Sequence, residues 1–575
     1  MKRHNGDNGL TSRSERVPAQ QENGKEIGVI VRGSLREGLE MRLAEGQSVE
    51  DLRVGKFVVV EGAQYRYFSM ISDVQLAATH PNVLLHPPGR EETLLRAVLD
   101  GTSVFGTASL TPMLMVPRDA GPEEGESLMP VKTIPVHFSP VYEATREDVG
   151  RVFGEEARGT QFFHVGEPLD MDTPVCLNLE RWVERSNAIF GKSGTGKTFL
   201  TRIVLCGVIR SDCAVNLIFD MHSEYGWTGT SEDRQRGGQV RGLKHYFGNR
   251  VQIFTLDPRS TRQRQVRADY EVQIPYSEIT VEDILLLERE LNLNPTAVET
   301  CHLLVQRFGQ KQWLREFLNM NSEDLTAFVG DNNAHRGALT ALQRKLNVLV
   351  RECEGFLKPE VPDDAVPRIL QTLQRGVSVV LEFGHYDRPV QYMLVANILT
   401  RRLHQIYRDL TERSLGGSEP KPRPLLITIE EAHKFLAPHL SEQTIFGTIA
   451  REMRKYNVTL LIVDQRPSGI DPEVLSQVGT RICCLLEDER DVNAALAGVS
   501  GASSLRNVLA SLETRQQALI FGHAVPMPVV VRTRTYDDEA FRQSMQSASF
   551  VQSENTPEDA EAHRARMLAL RDQDF

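Results

Sequence analysis

The chain has 575 residues, of which 40% are apolar and 25% charged, and its formal net charge is −11. That length calls for about two to four domains, the composition is that of a globular protein, and no run approaches the ~18 consecutive apolar residues of a membrane span. The segment Met1–Gly24 is polar and lacks the apolar centre of a secretory signal. Cys176, Cys206, Cys213, Cys301, Cys353, Cys483 and Cys484 form no C-x-x-C pair, and several sit in apolar runs. This usage fits a reducing, cytoplasmic setting and argues against structural zinc. An acidic balance does not advertise a nucleic-acid partner, although a ring with a basic pore can carry an acidic exterior.

Residues 1–25 have no periodicity and read as a disordered tail. From Ile27 the pattern is β. Ile27–Val31, Leu39–Leu43, Lys56–Glu61, Tyr67–Val74, Val104–Val116 and Val131–Phe138 read as short strands, with a Gly/Pro/Glu loop at Asp119–Glu126. Half a dozen strands without long helices predict a small closed barrel over residues 26–169. It carries no catalytic cluster and reads as an interaction module or a purely structural domain.

A second region, residues 170–535, alternates strands with helices. Asn187–Phe190 is an apolar strand that runs into Gly191-Lys192-Ser193-Gly194-Thr195-Gly196-Lys197-Thr198, and the apolar run Phe199, Leu200, Ile203, Val204, Val208 predicts an amphipathic helix behind it. Strand, glycine-rich loop and helix in this order form a phosphate-binding loop. Its backbone N–H groups and helix N-terminus hold phosphate oxygens, Lys197 reaches the β and γ phosphates, and the Thr198 hydroxyl ligates Mg²⁺. The strand Val215–Asp220 follows, then a loop with Arg234, Arg236, Arg241 and Lys244, and the strand Val251–Leu256. Arg241 and Lys244 are the pair that would contact a DNA backbone if the family resemblance described below holds.

Residues 275–375 read as a helical insertion. Thr280 is placed to cap a helix, and Leu339, Leu342, Leu346 and Leu349 recur at helical spacing, as core positions do. The sheet resumes with a strand at Val377–Phe383, a helix at Val390–Tyr407 and a linker at Leu415–Pro424. Leu425–Ile429 is a strand, residues 441–456 a helix, and Val458–Val463, Arg481–Leu486 and Ala518–Phe521 are further strands. Such alternation predicts a parallel α/β sheet with its sites at the carboxyl ends of the strands. Residues 536–575 are a polar, helix-prone tail in which Ala562, Ala565, Leu568 and Ala569 fall at helical spacing.

Three further stretches carry chemistry, two of them at predicted strand ends and one on a predicted helix. Glu430 and Glu431 follow a buried strand, so Glu430 can hold Mg²⁺, in part through water, while Glu431 orients and deprotonates the attacking water. The other reading is a pair of solvated acids opening a helix. Gln465 ends the next strand and can sense a γ-phosphate or water, or can be a turn residue. Arg451 and Arg454, three residues apart, share a helix face. They present a cation to a neighbour's γ-phosphate or form a solvated basic face.

With these residues in hand, the chain resembles the HerA branch of the HerA/FtsK hexameric translocases. The likeness rests on the opening strands Ile27–Leu35 and Val54–Glu61, the phosphate loop Gly191–Thr198, Asp220-Met221-His222-Ser223-Glu224-Tyr225, Ile429-Glu430-Glu431-Ala432-His433, Ala450-Arg451-Glu452-Met453-Arg454-Lys455 and Asp464-Gln465-Arg466-Pro467-Ser468, and spans about residues 26–535. The resemblance implies an N-terminal β-barrel, a RecA-like ATPase core with a helical insertion, and a C-terminal brace over residues 536–575. It implies a homohexamer that moves along double-stranded DNA using ATP and Mg²⁺, with a NurA-like nuclease partner in DNA end processing. It also implies Arg454 as an arginine finger ahead of Arg451, and Arg185 as a nucleotide contact. Met453 and Asp464 depart from the Gly and Ser common in that family. Rings of this kind also serve as scaffolds for antiviral effectors such as a nuclease or a sirtuin-like NAD hydrolase, and that is the alternative reading.

Overall fold

The computed structural model describes residues 24–546 except 86, 90, 100–101, 119–127, 158–159, 231–238, 333–334, 363, 418–419, 442–443, 453–454 and 500. The expectations for residues 1–23, the loop Asp119–Glu126, Arg234, Arg236, Arg454 and the helix around Ala562–Ala569 lie outside the described residues. Two compact units divide the chain, one ending at Val152 and the other starting at Phe153.

In the first unit, strands β1 (Glu26–Ser34), β2 (Gly38–Leu43), β3 (Phe57–Glu61), β4 (Tyr65–Ala78), β5 (Val104–Pro117) and β6 (Pro140–Glu143) pair antiparallel in the order β2-β1-β6-β3-β4-β5. The pairing of β2 with β5 then closes the barrel. Alternation does the sorting: Leu39, Met41 and Leu43 of β2 turn inward while their neighbours stay partly exposed. They join Ile27, Val58, Val60, Ile71 and Val141 in one apolar core.

One predicted strand is wrong. Val131–Phe138 forms no strand, and the sixth strand of the barrel is β6, just beyond it. Pro135 interrupts the run with a residue that has no N–H to give a ladder, and Phe138 adopts φ +64°, which turns the chain before β6 begins.

The second unit is built on a twelve-stranded sheet. Its strands are β7 (Phe162–Pro168), β8 (Val175–Asn178), β9 (Asn187–Phe190), β10 (Val215–Asp220), β11 (Val251–Thr255), β12 (Tyr270–Glu271), β13 (Ser378–Glu382), β14 (Leu425–Glu430), β15 (Val458–Asp464), β16 (Thr480–Cys483), β17 (Gln517–Gly522) and β18 (Val529–Thr533). The order is β12-β11-β13-β10-β14-β15-β9-β16-β17-β18-β7-β8, parallel from β12 to β16 and antiparallel beyond. Every residue of β10 and β15 is buried, as in parallel strands covered on both faces. The sheet therefore takes in β7 and β8, although β7 precedes residue 170, where the core was expected to begin.

Helix α1 (Lys197–Ser211) follows β9. It is not amphipathic as predicted: Leu200 through Ile209 are all buried. Phe163 of β7 explains part of this, because a Cβ on Gly207 would come within 2.7 Å of its ring.

The insertion contains α2 (Val281–Leu286), α3 (Pro295–Phe308), α4 (Trp313–Asn319), α5 (Ser322–Asn332), α6 (Arg336–Glu352) and α7 (Ala365–Gln374). Thr280 caps α2, its N–H and hydroxyl both donating to the Asp283 carboxylate at 2.8 and 3.1 Å. Leu339, Leu342, Leu346 and Leu349 are buried along one face of α6. Helices α8 (Pro389–Leu415) and α9 (Ile445–Glu452) precede β14 and β15.

Candidate nucleotide site

The carboxyl ends of β9, β10, β14 and β15 surround a cleft of about 210 Å³ lined by Ser193, Gly194, Gly196, Lys197, Thr198, Phe199, His222, Glu224, Glu430, Glu431, Val463, Asp464 and Gln465. Sheet order explains this meeting. Strand β15 lies between β9, which feeds the phosphate loop, and β14, which delivers the two acids. Gln465, one residue past β15, thus falls between loop and acids.

The loop is tied down at its base, where the Gly191 and Lys192 N–H groups donate to the carbonyls of Asp464 (3.3 Å) and Leu485 (3.0 Å). Glycine is required at 191 because a Cβ there would lie 2.7 Å from the Cys484 Cβ, and at 196 because φ is +94°. The Thr195 hydroxyl donates to the Lys192 carbonyl at 2.7 Å. The Lys192 ammonium, pointing outward, pairs with Glu487 at 2.7 Å. Lys197 donates to the Lys192 carbonyl at 2.8 Å. Burial lowers the pKa of its ammonium, and Cys484, Glu431, Asp464 and Glu430 work against that shift. In this state the loop's own carbonyl takes the hydrogen bond that a phosphate oxygen would accept.

Along a strand, consecutive side chains point to opposite faces, yet Glu430 and Glu431 both line the cleft. Glu431 adopts φ +50°. A left-handed conformation is uncommon for a residue with a Cβ, and such outliers cluster at functional sites. Here it turns the chain so that both acids share one cavity. Gln465 Nε2 donates to Glu431 Oε1 at 3.0 Å. Glu430 Oε1 accepts the Tyr225 hydroxyl at 2.6 Å. Burial pushes the Glu430 carboxyl up to about 8, with Asp220, Glu224 and Glu431 adding to the shift and the Tyr225 hydrogen bond opposing it.

Sequence reasoning gave no role to several residues that surround this cleft. His433 donates its backbone N–H to Asp464 at 2.8 Å and places Nδ1 3.0 Å from the same carboxylate. That hydrogen bond raises the imidazole pKa, and Asp464 also accepts the Arg466 N–H at 2.7 Å. Asp464, a departure from the family's usual Ser, thus organises the turns after both β14 and β15. His222, Glu224, Tyr225 and Tyr392 also went unread. Asp220-Met221-His222-Ser223-Glu224-Tyr225 was the available signal for three of them.

Other candidates lie elsewhere. Arg185 precedes the amino end of β9, packed beside Gly479, and a four-residue strand of about 13 Å separates it from the phosphate loop. It does not line the cleft. Arg451 donates to the Ser441 carbonyl at 3.1 Å, also outside the cleft lining. Lys244 is committed to Asp269 (2.9 Å) and the Val251 carbonyl (2.7 Å). Arg241 is exposed, its backbone N–H bound to Asp537 at 2.9 Å. Of the proposed DNA pair, Lys244 is thus ion-paired while Arg241 is exposed.

The residues fit a divalent cation brought in with nucleotide. The Thr198 hydroxyl and the Glu430 and Glu431 carboxyls line one cleft. No group of three His, Cys, Asp or Glu side chains among the described residues could hold a metal alone, and Mg²⁺ ordinarily takes most of its ligands from water and substrate phosphates.

A parallel sheet with a phosphate loop, an acid pair on one strand end and a polar side chain on the strand between them defines a P-loop ATPase. Residues 163–403 match the family described as the central domain of the helicase HerA. The DNA double-strand break repair helicase HerA of Pyrococcus furiosus is 24% identical over 441 residues, covering 73% of this chain and 77% of that protein. Its namesake from Saccharolobus solfataricus is 22% identical over 408 residues, covering 70% and 74%. Among solved structures, VirB4 of Thermoanaerobacter pseudethanolicus aligns with a TM-score of 0.43 at 12% identity, over 67% of this chain and 100% of that one. The bacterial conjugative coupling protein TrwB aligns at 0.43 and 13%, over 68% and 93%. Residues 163–403 thus match the HerA central domain, and the chain as a whole is similar to HerA helicases. No helix among the described residues is long and apolar enough to cross a membrane.

Proposed function

We propose that the chain is an ATP-driven helicase or translocase acting on double-stranded DNA in break repair. The observation that carries this is the meeting of Lys197, Thr198, Glu430, Glu431 and Gln465 in one cleft, in a chain similar to double-strand break repair helicases over 73% of its length. Those relatives' names favour repair over a defence scaffold.

The roles follow from position. The phosphate loop holds the phosphates of ATP, and Lys197 exchanges the Lys192 carbonyl for a phosphate oxygen. Thr198 and Glu430 would hold Mg²⁺, which would supply charge neutralisation at the β and γ phosphates. Glu431 orients a water and takes its proton, while Gln465 fixes the Glu431 carboxylate and reports on the γ-phosphate. A cation from a neighbouring copy in a hexameric ring completes the site. Arg454 is the first candidate, because Arg451 is bound to the Ser441 carbonyl. A NurA-like nuclease partner cuts the DNA ends.

Two experiments test this reading. Duplex DNA is expected to stimulate ATP hydrolysis, with the stimulation falling steeply as salt rises, since backbone contacts release counterions. A rate indifferent to DNA at low salt removes DNA as the track. Arg454→Ala protein is expected to lose about 10³–10⁵ in rate while still binding ATP. Mixed with Lys197→Ala protein it should regain partial activity where an intact loop meets an intact finger. Mixed rings, verified by native mass spectrometry, that stay inactive in a covalent dimer with one wild-type interface place the arginine's action within one subunit.

A further inference from the structure

Glu430 is held from two sides by buried tyrosines. The Tyr392 hydroxyl donates to the Glu430 carbonyl and accepts the Glu430 N–H, both at 3.1 Å, and so fixes the backbone at the end of β14. The Tyr225 hydroxyl takes Glu430 Oε1 at 2.6 Å and fixes the carboxyl. Both rings are fully buried, so neither hydroxyl has water as an alternative partner, and a buried hydroxyl without a partner is costly.

Tyr225 belongs to a turn built on a buried acid. The Asp220 carboxylate, fully buried at the end of β10, accepts the N–H groups of Glu224 (2.7 Å), Tyr225 (2.8 Å) and Gly226 (3.4 Å). Ser223 adopts φ +57°, so the chain folds tightly around that carboxylate. The same turn presents His222 and Glu224 to the cleft. Arg202 of α1 donates to the Glu224 carbonyl, which anchors the turn to the helix behind the phosphate loop. Residues 205 positions apart in the sequence thus meet through one short hydrogen bond.

We propose that Tyr225 is a positioning residue for the magnesium acid: the Asp220-centred turn holds its hydroxyl on Oε1 of Glu430 and so fixes the carboxyl that would meet the cation. This rests on the reading of Glu430 as a Mg²⁺ ligand. Without the hydroxyl the carboxyl is free to rotate, and the cation must order it on binding. Partners that orient metal ligands are typically worth 10–100-fold in metal affinity.

The test measures the Mg²⁺ needed for ATP to raise the melting temperature of the full chain, in a Glu431→Gln background that prevents turnover. Tyr225→Phe is expected to raise that requirement about 10–100-fold while the nucleotide-free protein melts as before. In the otherwise wild-type chain, half-saturation of hydrolysis by Mg²⁺ should rise by a similar factor, and kcat at saturating Mg²⁺ should fall much less. An unchanged Mg²⁺ requirement overturns the proposal. So does a kcat loss that excess Mg²⁺ leaves in place, because it would show a merely structural role. If Tyr225→Phe does not fold, Asp220→Asn, which loosens the turn, carries the same expectation and the same overturning result. Glu430→Gln run in parallel separates the two readings. If it too leaves the requirement unchanged, Glu430 is not the metal acid; if it raises the requirement and Tyr225→Phe does not, only the role of Tyr225 fails.

Discussion

Lys197→Ala protein is expected to hydrolyse ATP at least about 10²–10³-fold more slowly and to bind it more weakly. The ammonium is the only Lys or Arg side chain lining the cleft among the described residues, and developing charge on the phosphoryl oxygens leaves it without a local substitute. Its hydrogen bond to the Lys192 carbonyl shows that the loop can hold the side chain across its own mouth. Losing it opens the loop as well as removing a charge, so both rate and affinity should fall. Steady-state hydrolysis and equilibrium binding of a fluorescent ATP analogue read the two losses separately. Near-normal turnover would refute the site.

Glu431→Gln should behave differently. The amide keeps the size of the side chain and an oxygen for Gln465 Nε2, but it cannot take a proton. General-base catalysis is typically worth about 10²–10⁴ in rate, and that is the expected loss, with ATP binding kept. The bound nucleotide should remain ATP when recovered from the protein and separated by chromatography. Recovery of mostly ADP would mean another group takes the proton. The left-handed backbone at Glu431 bears on how the result is read. Glu431→Gly would relax that conformation while also removing the carboxyl, so the isosteric amide is the cleaner variant.

Much of this molecule was legible in the chain itself. The phosphate loop announces itself through glycine spacing and the apolar strand ahead of it, because cradling phosphate needs contiguous backbone. The leucine spacing of α6 predicted its buried face, and the Thr280 cap marked the start of α2, because helix signals are local. The acid pair was visible as two carboxylates closing a buried strand. In each case cause and consequence lie within a few residues of one another.

What the tertiary structure decided depends on register between distant strands. Nothing near Gln465 says that β15 slots between β9 and β14, yet that order places Gln465 on Glu431. Tyr225 and Glu430 meet only because β10 and β14 are parallel neighbours and a buried aspartate shapes the turn after β10. The same long-range geometry put Arg185 at the far end of β9, paired Lys244 with Asp269, and gave the place between β1 and β3 to Pro140–Glu143 instead of the more apolar run before it. Periodicity records which face a residue buries, but a neighbour across the sheet is chosen by packing and hydrogen-bond pairing over the whole fold.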